Sequence, residues 1–186
     1  KLWDSVNDDE DPMDRQGHGT AVAGIVAGKE RGVAPDARIV AVRVLDEDGE
    51  GTEDQMLDGI DAILASVAAG NPYNIKVANM SFGGYDDEDW PPHSGTCDSI
   101  DAATAAAFAN LTDAGIAIFV AAGNGGCTDG VAWPACMSEA IAVGAVYDDE
   151  ICTSELPLLG CVSHTQYFGA GECQRDGCSD EYKADR

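Results

Sequence analysis

Four short apolar runs, 37–45, 75–82, 115–123 and 140–146, alternate along this chain with segments that carry helical patterning. This alternation constrains the fold more than any other feature. Short, mostly apolar runs separated by helices suit strands covered on both sides. Strands separated by helices pair in parallel through right-handed crossovers. The expectation is an α/β fold with a mainly parallel sheet and helices on both faces. In such sheets ligands sit beyond the carboxyl ends of the strands, which points to the loops after Leu45, Phe82 and Ala122.

The helical segments are legible to different degrees. From Thr52 to Ala69, Met56, Leu57, Ile60, Ile63, Leu64 and Val67 recur at helical spacing. Thr52 and Gln55 have the spacing of a capping box, and Glu53 and Asp54 suit the positive end of the helix dipole. An Ala-rich stretch from about Ser99 to Ala114 is a second helix, and the small-residue segment from Thr20 to Gly28 a third. Residues 1–16 are polar and acidic and read as an irregular lead-in, with order beginning at Gly17. Residues 17–146 form the α/β core. Residues 147–186 are acidic, rich in Gly, Ser and Cys, and read as a disulfide-tied excursion. With 186 residues, one domain is expected.

Acidic residues outnumber basic ones 34 to 10, a net charge of −24. That field repels nucleic acid and anionic membrane surfaces, so neither is an expected partner. No apolar run approaches the roughly 20 residues that span a bilayer. Seven cysteines, at 97, 127, 136, 152, 161, 173 and 178, lack the paired spacing of a zinc site. Disulfides are the expected use, with Cys127 to Cys136 and Cys152 to Cys161 close enough for loop staples, and disulfides imply secretion. A secreted chain that opens at Lys1 with no leader reads as a processed or excised piece.

Three motifs border the expected ligand edge. Gly17-His18-Gly19-Thr20 places a histidine between glycines just before a helix of small residues, whose first turn faces a cleft while the rest packs in the core. Asn79-Met80-Ser81-Phe82-Gly83-Gly84 is a strand running into glycines, bare backbone able to pair with an extended peptide. Phe119-Val120-Ala121-Ala122-Gly123-Asn124 is a strand ending in an amide that can donate to a developing oxyanion. Taken singly, the histidine reads as structural and Asn124-Gly125 as a turn.

Together with Gly32-Val33-Ala34-Pro35, and in this order, these motifs resemble the subtilisin-like serine peptidases. The likeness runs from about Gly17 to Val146, with further matching stretches at 42–59 and 133–145. It implies a three-layer sandwich, here incomplete. It implies that His18 is the general base of an Asp-His-Ser triad, taking the nucleophile's proton and returning it to the leaving amine. Asn124 takes the role of oxyanion donor. Gly49, Glu50 and Gly51 on one side, and Ser81, Phe82 and Gly83 on the other, would flank an extended polypeptide substrate. Ala121, Ala122 and Gly123 would form one wall of the primary specificity pocket. A monomer acting by an acyl-enzyme, with no cofactor in the chemistry, is the expectation.

The pattern is also broken. The family's aspartate ends an apolar strand and is followed by a small residue and glycine. Asp4, Asp8, Asp9, Asp11 and Asp14 lack that context. None of the nine serines stands in the family's Gly-Thr-Ser-Met-Ala, Ser154 coming nearest. The triad partners are expected before Lys1 and after Arg186, and the 186 residues alone are expected to be inactive. The alternative is a homologue without catalysis that binds peptides. The turn Lys29-Glu30-Arg31 is too short for the calcium loop of some family members. Asp86-Asp87-Glu88-Asp89 has carboxylates for structural calcium but reads as a solvated loop, so no calcium site is assignable. Glu50, with the 86–89 loop near it, would favour basic residues in the bound peptide.

Overall fold

The computed structural model describes residues 2–84, 93–124 and 129–144. The chain divides into two compact units, one of Lys1–Ser81 with Asp101–Ile118, the other of Phe82–Ile100 with Phe119–Arg186. The excursion expected over 147–186 and the acidic loop at 86–89 lie outside the described residues.

The first unit opens with a surprise. Strand β1, Trp3–Asp4, lies in the lead-in expected to be irregular, and it pairs in parallel with β2, Val42–Arg43, in the register Trp3 to Val42 and Asp4 to Arg43. An ion pair accounts for a strand in so polar a sequence. Asp4 and Arg43 are both buried, and Arg43 Nη1 donates to Asp4 Oδ2 at 2.9 Å. Asp4 also accepts from the backbone of Val6 and Asn7 and from Asn7 Nδ2. Burial pushes the Asp4 carboxyl up, but Arg43 and these donors outweigh it and hold it below the usual carboxylate range. A paired, fully hydrogen-bonded charge can be buried where a lone one cannot.

Helix α1, His18–Ala27, follows. Helix α2, Glu53–Ala68, has the expected capping box: Thr52 Oγ1 accepts from Gln55 N–H at 3.2 Å, and Gln55 Oε1 accepts from Thr52 N–H at 2.9 Å. It buries Met56, Gly59 and Ile60, packs against β1, and is tied to it by Trp3 Nε1 donating to Asp58. Helix α3, Ala102–Asp113, is capped by Asp101, which accepts from Thr104 N–H at 2.9 Å, and it buries Thr104, Phe108 and Leu111. Helices α2 and α3 pack on each other. Burial raises the Glu53 carboxyl at the start of α2, and the Asp101 carboxylate raises it further.

The central strands are shorter than the apolar runs that announced them. They are β3, Val77–Met80, β4, Ala117–Ala121, and β5, Ala140–Val143. In the first unit β3 neighbours the start of β4, with Ala117 N–H donating to Lys76 O at 3.0 Å. In the second unit β5 neighbours its end, with Ala122 N–H donating to Val143 O at 2.9 Å.

Complete burial of these elements is not what the described residues show. Helix α1 has no buried residue, and Ile25 is 67% exposed. Val77, Ile141 and Val143 are about half exposed. The physical reason is simple: an apolar face is buried only where a further layer covers it, and among the described residues no layer does so here.

Candidate active site

His18 is the first residue of α1, exposed, and it follows Gly17 at φ 103°. That left-handed turn suits glycine because a Cβ would collide with the backbone. What holds the turn is Asp14. Its carboxylate accepts from the backbone of Gly17 at 2.7 Å, Gln16 at 2.9 Å and Thr20 at 2.8 Å, and from Thr20 Oγ1 at 2.6 Å. These donors, the Thr20 hydroxyl foremost, hold the Asp14 carboxyl well below the usual range. Asp14 thus serves as the N-terminal cap of α1. Thr20 of the Gly-His-Gly-Thr motif is the partner that locks it. Sequence reading weighed Asp14 only as a triad carboxylate. The signal for a cap was an acidic residue just before a helix start with a threonine in its first turn.

Gln16 connects His18 to the expected substrate edge within the same unit. Its Oε1 accepts from His18 N–H at 2.8 Å, while its side-chain amide lies about 3.5 Å from where a Cβ on Gly49 would stand. Gly49 and Glu50 sit in a tight turn closed by Asp46, and Gly51 follows it. Asp46 Oδ1 accepts from Asp48 N–H at 2.9 Å and Glu50 N–H at 3.0 Å, and Asp46 N–H donates to Glu50 O at 2.8 Å. The Glu50 and Asp48 amides lower the Asp46 carboxyl. Nothing in the sequence reading named Gln16. Ser81 also belongs to this unit, its Oγ accepting from Asn79 Nδ2 at 2.9 Å.

The second unit holds Phe82, Gly83, Ala121, Ala122, Gly123 and Asn124. Asn124 is exposed and follows Gly123 at φ 108°, so the amide leaves the end of β4 through the same kind of left-handed glycine that precedes His18.

Ala132 and the start of the matching stretch 133–145, to which sequence reading gave no role in the site, join these residues. Ala132 N–H donates to Ala122 O at 2.8 Å, and Gly84 N–H donates to Trp133 O at 3.0 Å. A Cβ on Gly83 would lie 2.7 Å from Trp133 O and 3.7 Å from the Ala132 Cβ, so this face of Gly83 is already filled. Residues 132–133 therefore span from the expected peptide-binding edge to the expected pocket wall.

The same segment is anchored on its far side. Val131 and His93 exchange backbone hydrogen bonds at 3.0 and 3.1 Å, Cys97 N–H donates to Cys136 O at 3.0 Å, and Ser138 N–H donates to Asp98 Oδ1 at 2.9 Å. Cys97 and Cys136 form a buried disulfide across 39 positions. Cys136 is thus bonded to Cys97, not to Cys127 as proximity in sequence suggested. An open cleft of about 570 Å3 adjoins this anchor, lined by His93, Thr96, Asp129, Cys136, Met137 and Ser138 among others, and by none of the expected site residues.

A family model for subtilases matches residues 1–181. This chain belongs to the subtilase family. The match reaches beyond the 17–146 span on which the motifs alone rested, and takes in β1. Among curated subtilases, the serine protease AprX of Bacillus subtilis is 32% identical over 164 residues, covering 82% of this chain and 35% of AprX. Proteinase T of Parengyodontium album is 36% identical over 137 residues, covering 74% of this chain and 42% of its own length. A solved cold-adapted subtilisin-like serine proteinase superposes with TM-score 0.60 at 32% identity, covering 80% of this chain and 47% of that one. The α/β fold is therefore that of subtilisin-like proteins. The chain spans about a third of the length of curated relatives that it matches.

Proposed function

We propose that this subtilase chain is the central part of a serine endopeptidase domain in which His18 is the general base and Asn124 the oxyanion donor. The observation that carries the reading is that both residues are exposed where an element meets a loop, each set by a left-handed glycine, within a chain matched to subtilases over residues 1–181. In this mechanism an activated serine attacks the scissile carbonyl, and His18 accepts its proton and delivers it to the leaving amine. The Asn124 amide donates to the oxygen that becomes negative. Water then attacks the acyl-enzyme, with His18 again as base. The nucleophile is expected from outside these 186 residues, since no serine here stands in the family's nucleophile motif, so the chain alone does not hydrolyse peptides. No cofactor enters the chemistry.

The polypeptide substrate lies extended between Gly49-Glu50-Gly51 and Ser81-Phe82-Gly83, with one side chain against Ala121-Ala122-Gly123. Secretion as a monomer fits the acidic, disulfide-bearing chain. The test is active-site labelling of the full-length protein with a fluorophosphonate, which reacts only with an activated serine. Labelling of the parent and its loss in His18→Ala is the expected result. An unlabelled parent that still binds peptides would instead establish the alternative, a subtilase fold used as a binding module.

A further inference from the structure

We infer that the Cys97–Cys136 disulfide is a positioning element that sets the width of the primary specificity pocket. The inference rests on the peptidase reading above. Its starting point is the 131–138 segment, whose backbone bonds to Ala122 through Ala132 N–H and to Gly84 through Trp133 O. Those two hydrogen bonds place one short stretch of chain between the peptide-binding edge and the pocket wall. A shift of the stretch changes the space between them.

The stretch is also tied on its other side, away from Ala122 and Gly84. Its outer side is held by the reciprocal bonds of Val131 with His93, by Cys97 N–H on Cys136 O, and by Ser138 N–H on Asp98. All of these belong to the loop 93–98, which contributes no helix or strand of its own. Backbone hydrogen bonds between two loops open readily, since water replaces each partner at small net cost. The disulfide is the one covalent tie between the two loops among the described residues, and both sulfurs are shielded, with Cys97 0% and Cys136 4% exposed. Ala132 and Met137 on either side of the bond are also buried, so the clamped stretch is packed as well as bonded. A clamp so placed acts on how tightly the pocket fits a side chain, not on the proton transfers at His18. It therefore acts on KM and selectivity ahead of kcat.

The experiment uses the full-length protein and peptide p-nitroanilides that differ only in the residue on the acyl side of the scissile bond. Kinetics are measured well below the melting temperature of each variant. For C97A/C136A the expected result is a KM at least about five-fold higher for the best substrate, kcat within about two-fold, and a matching contraction of the best-to-worst kcat/KM ratio. Asp98→Ala removes one hydrogen bond at the same anchor without touching the disulfide, and a smaller contraction, about two-fold, is expected. It carries the test if the double variant does not fold. Selectivity and KM unchanged in whichever variant folds, with only the melting temperature lowered, would reduce the disulfide to a stability staple. Fluorophosphonate labelling of the parent separates the two failures. An unlabelled parent overturns the peptidase reading and this inference with it, whereas a labelled parent with unaltered selectivity overturns this inference alone.

Discussion

At the scale of single residues, Asp14 does the work of a helix cap at a distance of four positions from the helix. It satisfies N–H groups that the first turn of α1 cannot bond internally, and its charge sits at the positive end of the helix dipole. Replacing Asp14 by Ala removes both effects, and caps of this kind contribute about 0.5–2 kcal/mol. The pH dependence follows from the direction of its shift. Because its folded-state carboxyl is held below the usual value, Asp14 stabilises the fold fully above the unfolded carboxyl range, near pH 4, and progressively less as pH falls. The unfolding free energies of parent and Asp14→Ala should therefore differ by about 1 kcal/mol at pH 7 and converge below about pH 4. A gap as wide at pH 3 as at pH 7 would show that the charge is not what matters.

At the scale of elements, the seating of α2 on β2 turns on Gly59. Glycine inside a helix costs roughly 1 kcal/mol relative to alanine, so Gly59→Ala would stabilise an isolated α2. In the folded chain the added Cβ would stand 2.7 Å from Val44 Cγ1 and 3.0 Å from Val42 Cγ1. Valine has one comfortable rotamer in most settings and cannot swing aside cheaply. Overpacking of this kind costs about 1–3 kcal/mol, enough to reverse the propensity gain. Gly59→Ala is expected to lower the denaturant midpoint, and a raised midpoint would mean that β2 yields. The capping box of α2 was readable because its two partners are three residues apart. The Gly59 contact was not, because Val42 and Val44 approach it only after the chain has folded back. Strand β1 was missed for the same kind of reason. Trp3-Asp4 has no strand signature of its own and becomes a strand by pairing with Val42-Arg43 and burying Asp4 against a cation 39 positions away.

At the scale of the whole molecule the dominant fact is a charge of −24 on 186 residues. Self-repulsion of that size opposes compaction, and it is screened over about 30 Å at 0.01 M salt but only a few ångströms near 1 M. Raising NaCl from 10 mM to 0.5 M is expected to raise the melting temperature of the protein by roughly 3 °C or more. A flat or falling melting temperature would show that the acidic groups are already compensated in the fold. The amino-acid sequence by itself determined the α/β class, through short, mostly apolar runs that alternate with helical segments. It also marked His18 and Asn124, because glycine-bounded motifs depend on local backbone needs written in adjacent residues. The tertiary structure alone decided what supports them: Asp14 on Thr20, Gln16 between His18 and Gly49, Ala132 and Trp133 between Ala122 and Gly84, and Cys97 on Cys136. A local motif is legible because its partners are neighbours in sequence. A support is not, because its partner is chosen by where the folded chain returns.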